Sequence, residues 1–234
     1  MSIKYHDVNV GVTLGGSGGG GGGILGFTRV AYLATLTGIH EGYIDTGVYP
    51  TSHHRVQATF ALVANDGTAW YTIFGCRDGS LSRLTARYSL DTSTPPNSLG
   101  IQYSTDAGQP ATIVELSSIT KANSVLVFRK LEFNKNEVYV DGALVHTFTP
   151  PTGTASYPYT LYLFALNNAG TLRDQASCFI SRCRIWDEND ALVRDFVPAI
   201  RDSDGVAGMY NLVNGVFYTS PSGDFYIGPS IEEE

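Results

Sequence analysis

The chain has 234 residues, 43% hydrophobic and 16% charged, and a formal net charge of −7. That length suits one large all-β domain with a sizeable core. The acidic balance argues against a nucleic-acid partner, because such a surface repels phosphate backbones.

Met1–Val10 carries Lys4, His6, Asp7 and Asn9 and lacks the apolar stretch of a secretory signal. No run reaches the ~18 apolar residues that would suggest membrane insertion. Val8, Val10 and Val12 alternate with Asn9, Gly11 and Thr13. Residues 1–14 therefore read either as a strand-like anchoring peptide that adds to a partner's sheet edge or as a disordered tail. Residues 15–23 are eight glycines and one serine. They build no core, so residues 15–30 read as a glycine-rich linker and lead-in. The alternative is a polyglycine segment packed inside a multimer. Residues 31–229 form the dense β-rich part, and residues 230–234 an acidic tail ending in Glu232, Glu233 and Glu234.

Within that part the apolar pattern has a period of two. Val56, Ala58, Phe60 and Leu62 are predicted to face a core, as are Leu84, Ala86, Tyr88 and Leu90, and Leu99, Ile101 and Tyr103. Glu137–His146 predicts a hairpin turning at Asp141-Gly142, with Val140 facing Ala143 and Val138 facing Val145. Leu161–Leu166 is apolar on both faces, which predicts a strand buried in the middle of a sheet. In the next run Phe179, Ser181, Cys183 and Ile185 share one face, and Arg182, Arg184 and Trp186 the other. Asn211–Tyr218 predicts a second hairpin at Asn214-Gly215, with Leu212 facing Phe217. Many short strands between turn signals, with no long helical period, describe a sandwich or barrel. The thiols Cys76, Cys178 and Cys183 read as buried and free. Extended chain sets the last two roughly 17 Å apart, too far to bridge, although Cys76 could pair with either.

Six segments carry a resemblance to a known family: YIDTG (Tyr43–Gly47), IFGCRDG (Ile73–Gly79), FNKNEVYVDG (Phe133–Gly142), LFALNNAG (Leu163–Gly170), LVRDFVPAIR (Leu192–Arg201) and GMYNLVNGVFY (Gly208–Tyr218). In these the chain resembles the concanavalin A-like lectin/glucanase superfamily, in its laminin-G-like branch. It is most similar to domains of phage tail and virion proteins and of gut bacterial surface proteins. The resemblance implies an all-β, two-sheet antiparallel jelly-roll sandwich with its first and last strands close together. It also implies carbohydrate or surface binding, and for virion proteins of this kind a homotrimer.

Catalysis needs its own test, because the superfamily includes glucanases. Those place acidic residues at alternate positions of one strand, which sets paired carboxylates on one face. Here Glu188 with Asp190, and Asp202 with Asp204, fall in turn-like stretches instead. No Gly-x-Ser-x-Gly elbow or phosphate-binding loop is present. No metal site is expected from His6, His40, His53, His54 and His146, since the adjacent pair His53-His54 points opposite ways on a strand. Calcium is the one cofactor the turns raise, at Asp202, Asp204 and Gly205 or at Asn65-Asp66-Gly67. Two carboxylates fall far short of its six to eight oxygens.

Sugar sites combine an aromatic platform with amide, carboxylate or guanidinium groups. The candidates are Trp70 and Tyr71 beside a polar turn, Arg77 and Asp78 after the IFGC run, Asn167 and Asn168 ending LYLFAL, and Trp186 beside Arg182 and Arg184. The expectation is a non-enzymatic virion adhesion protein that binds a host-surface glycan. Val8, Val10 and Val12 would attach it to other virion proteins. The alternatives are a decoration protein with no ligand, a glycan hydrolase, or a protein of the bacterial cell surface.

Overall fold

The computed structural model describes residues 24–63, 70–79, 82–88, 97–104 and 111–231. The arm with Val8, Val10 and Val12, the glycine tract, the Asn65-Asp66-Gly67 turn, Leu90 and the three terminal glutamates lie outside the described residues. In chain order the strands are β1 (Phe27–Arg29), β2 (Leu33–Ala34), β3 (Ile44–Asp45), β4 (Arg55–Leu62), β5 (Tyr71–Arg77), β6 (Arg83–Tyr88) and β7 (Ser98–Tyr103). Next come β8 (Thr112–Thr120), β9 (Arg129–Asn134), β10 (Glu137–Val140), β11 (Ala143–Thr147), β12 (Tyr162–Leu163) and β13 (Leu166–Asn168). Last are β14 (Thr171–Arg173), β15 (Cys178–Trp186), β16 (Leu192–Arg201), β17 (Ala207–Asn211), β18 (Val216–Thr219) and β19 (Tyr226–Ile227). Among the described residues the one helical turn is Ala122–Ser124.

Two sheets result. The larger runs β11-β10-β9-β4-β15-β16-β17-β18, with β1 on β16, β2 on β15 and β19 on β2. The smaller runs β14-β13-β5-β6-β7-β8, with β12 on β5 and β3 on β12. Pairing is antiparallel apart from β13 on β5. The two ends of the sandwich meet where β19 joins β2 and Val30 bridges Ser230.

Period-two alternation is what builds the core. Val56, Ala58, Phe60 and Leu62 of β4 are fully buried, and so are Leu84, Ala86 and Tyr88 of β6 and Leu99, Ile101 and Tyr103 of β7. Across the interface Tyr103 of the smaller sheet meets Phe133 of the larger, ring centroids 4.8 Å apart, and Phe60 meets Tyr88 at 6.3 Å. Two of the buried tyrosines bond their hydroxyls to the backbone: Tyr103 donates to the Ser52 carbonyl and Tyr157 to the Ser104 carbonyl, both at 2.7 Å. All three cysteines are free and buried, and burial pushes each thiol up.

Four local predictions need correction. Val140 faces Ala143, and Asp141 and Gly142 take φ of 53° and 85°. However, a bulge after Val138 sets that residue opposite His146 rather than Val145. The second hairpin is closed by four residues, because Asn211 pairs with Val216, so Phe217 faces Tyr210 and not Leu212. The Asn211 and Asn214 carboxamides hold that loop by accepting from the amides of Val213 and Val216. In β15 a register shift between Ile180 and Arg182 reverses the alternation. Cys178, Ile180, Cys183 and Ile185 therefore face the core, while Phe179 and Ser181 are half-buried outside it. Finally, Leu161–Leu166 is buried throughout, but Phe164, at φ 67°, divides it. The β12 segment runs antiparallel to β5, and β13 runs parallel to it.

Candidate functional site

In the smaller sheet the residues between the core positions form an outer polar face. In β6, Arg83, Thr85 and Arg87 alternate with the buried Leu84, Ala86 and Tyr88. Register fixes their neighbours: Thr72 lies opposite Arg87, Thr85 opposite Gln102, and Gly100 between Arg87 and Glu115. Side chains opposite one another on a shared face are in contact range. Gly75 and Gly100 keep the floor of this face low. A Cβ on Gly75 would sit 3.1 Å from a methyl of both Thr72 and Thr85, and one on Gly100 would sit 2.8 Å from a Glu115 carboxylate oxygen.

Several of the sequence candidates lie on this face. Arg87 stacks on Trp70, guanidinium carbon 3.7 Å from the ring centroid, and meets Asp174 at 3.8 Å. The Arg77 Nε donates to the Asn168 Oδ1 at 2.8 Å, where β5 and β13 run side by side. The Arg83 Nη1 donates to the Gln102 Oε1 at 3.3 Å. Burial lowers the Arg87 guanidinium to about 10; Asp174 and Glu115 oppose this, and the nearby Arg77 and Arg83 add to it. Burial lowers Arg83 also, with Arg77 adding to the effect. Three arginines thus share one partly dehydrated surface.

Other candidates are placed elsewhere. Tyr71 is fully buried in the core, with the Lys121 ammonium 4.7 Å from its ring centroid. Asp78 turns its own loop, accepting from the Ser82 amide at 2.8 Å. Asn167, 2% exposed, spends its carboxamide on the Thr160 carbonyl and the Gly170 amide. Trp186 belongs to the outer face of the larger sheet, beneath the Arg55 guanidinium at 4.1 Å. On that face Arg55 and Gln57 meet Glu132, and Arg182 and Arg184 meet Asp195, which links four strands by charge. The two tryptophans therefore lie on different sheets.

Sequence reasoning missed Thr72, Arg83, Thr85, Arg87 and Gln102. The signal was the polar half of the Arg83–Tyr88 alternation, of which the apolar half alone drew attention. It also missed a cavity of about 290 Å³ lined by Val206, Thr219, Ser220, Asp224, Phe225 and Ile227. Three of the acidic residues weighed for hydrolysis or calcium are engaged: Asp190 by Lys135, Asp202 by Thr28 and Asp204 by Arg201. Among the described residues no three histidine, cysteine or carboxylate groups gather as a metal site would require.

No protein-family model and no curated protein matches the chain. Among solved structures, a putative carbohydrate-binding protein from Bacteroides ovatus superposes with a TM-score of 0.54 at 12% identity. The match covers 88% of this chain and 62% of that one. The fold the two share is a two-sheet, mainly antiparallel β-sandwich. Domains LG4-5 of the mouse laminin alpha1 chain match with a TM-score of 0.43 and 15% identity, over 75% of this chain and 45% of theirs. The CBM40 module of a Ruminococcus gnavus IT-sialidase, bound to α2,3-sialyllactose, gives 0.43 and 10%, over 67% of this chain and 91% of the module. The chain thus spans less than two thirds of the laminin and Bacteroides structures.

Proposed function

We propose that the chain is a non-enzymatic adhesion module of a phage particle. It binds a host-surface carbohydrate through the outer face of the smaller sheet, and the N-terminal arm attaches it to other virion proteins. The carrying observation is that Trp70 and the Arg77, Arg83 and Arg87 guanidinium groups come together beside the buried Thr72, Thr85 and Gln102. Together they supply a ring for sugar C–H faces and donors for hydroxyl oxygens. The description of the Bacteroides ovatus neighbour as a putative carbohydrate-binding protein supports the same reading. The engagement of Asp190, Asp202 and Asp204 in local ion pairs and hydrogen bonds favours binding over hydrolysis.

Attachment is supported by composition alone: a strand-like peptide ahead of eight glycines and one serine suits a tethered sheet-edge contact. A trimer and a virion location belong to the same proposal.

A glycan array probed with the full chain, followed by calorimetry on the best ligand, tests the binding role. Trp70→Ala is expected to weaken that ligand about tenfold, or ~1.4 kcal/mol, without loss of fold. A blank array would favour a decoration role. Deleting residues 1–23 is expected to leave glycan affinity unchanged and to remove the protein from purified particles.

A further inference from the structure

Three side chains at the centre of the polar face are buried without full hydrogen bonding. Thr72 is 0% exposed, and Thr85 and Gln102 are each 1% exposed. The Thr72 and Thr85 hydroxyls and the Gln102 Nε2 have no hydrogen-bond partner among the described residues. Folded interiors satisfy roughly 90% or more of such atoms, and each orphan costs about 1–3 kcal/mol. These three are not scattered. Thr85 pairs with Gln102 across β6 and β7, and the methyls of Thr72 and Thr85 both approach the space above Gly75.

Arg87 joins them. It lies opposite Thr72, and its side chain is 11% exposed. Its contacts among the described residues are the Trp70 ring and Asp174 at 3.8 Å, and at that distance the carboxylate is an ion-pair partner rather than a hydrogen-bond acceptor. The guanidinium and the Gln102 amide nitrogen can only donate. The acceptor that Gln102 could have offered is already used by Arg83. The two threonine hydroxyls can donate or accept, and the Asp174 and Glu115 carboxylates lie near Arg87, so what the group offers a ligand is a set of unused donors on Arg87 and Gln102.

We infer that this part of the face takes an anionic oxygen group, a carboxylate or a sulfate ester, carried by an acidic sugar. This rests on the carbohydrate-binding reading and narrows it. A guanidinium presents two parallel N–H groups to two oxygens of such an anion, and the neighbouring amide and hydroxyls satisfy its remaining lone pairs. Trp70, stacked on Arg87, holds the fork in place.

The test is an array of carboxylated, sulfated and neutral glycans probed with the wild-type chain, Arg87→Lys and Thr85→Val, each also melted without ligand. Wild type is expected to select acidic glycans, and the carboxylated and sulfated spots report which anion is read. The best acidic ligand is expected to weaken at least tenfold in both variants. Arg87→Lys keeps the charge but loses the fork. Thr85→Val removes an orphan hydroxyl, so it should melt no lower than wild type while binding less. A purely structural role would move melting and leave affinity alone. Selection of neutral glycans, or an acidic ligand indifferent to both variants, overturns the anion assignment and leaves carbohydrate binding standing. A blank array overturns both.

Discussion

Replacing Phe133 with alanine is expected to lower the unfolding free energy by about 3–5 kcal/mol, the range for large aromatic truncations in a packed core. Phe133 is fully buried in β9, and its ring meets Tyr103 of the opposite sheet at 4.8 Å and Phe148 at 6.3 Å. Tyr103 is itself pinned by its hydroxyl to the Ser52 carbonyl, so it cannot tilt far to fill the space. The cavity would stay largely open, and the two sheets would lose a principal contact. Urea unfolding followed by tryptophan fluorescence measures the change. One cooperative transition at a lower midpoint is expected. A shift below about 1 kcal/mol would mean that the two faces do not pack as described.

Asp195→Ala is expected to cost about 2–4 kcal/mol, because it removes the shared acceptor of two arginines. Arg182 donates to both oxygens, Nε at 2.8 Å and Nη2 at 2.7 Å, and Arg184 adds a bond at 3.3 Å. The Asp195 side chain is 10% exposed. Burial raises its carboxyl, but the hydrogen bonds and charges of Arg182 and Arg184 outweigh this, and the net shift is downward. A depressed carboxyl stabilises the fold above its unfolded value near ~3.9, and that stabilisation is lost as pH falls through the folded value. The stability gap between wild type and Asp195→Ala should therefore be full at pH 6 and narrow below about pH 4. A gap that widens on acidification would contradict the assigned ion pairs.

The alternation of Val56, Ala58, Phe60 and Leu62 made β4 readable, since side chains on a pleated strand switch faces at each residue. The Asp141-Gly142 turn was readable because both residues tolerate the positive φ they adopt. The shift before Arg182 was not, because a bulge inserts a residue without a compositional mark. Asn214-Gly215 misled because the Asn211 side chain competes for nearby backbone amides and lengthens the loop. Phe164 at φ 67° is a bulky residue in a region that usually belongs to glycine, so nothing local announced the break after β12.

The site was legible only in part for a related reason. Trp70 and Arg77 stood out as an aromatic and a cation beside turns. Their partners Arg87 and Asn168 come from strands distant in sequence, which only register brings alongside. Tyr71 was a plausible sugar platform by type, yet the pleat turns it inward, next to Trp70 on the rim. Asn167 and Asp78 show the general hazard: polar residues at strand ends often serve the turn that follows them.

The proposed ligand surface is the outer face of the smaller sheet. Backbone amide NMR of the full chain, titrated with its best array ligand, tests it most directly. The largest shifts are expected at Thr72, Thr85, Arg87 and Gln102, with Trp70 and Arg77 following. Shifts confined to the Val206–Ile227 cavity, or to the Trp186 face of the larger sheet, would contradict it.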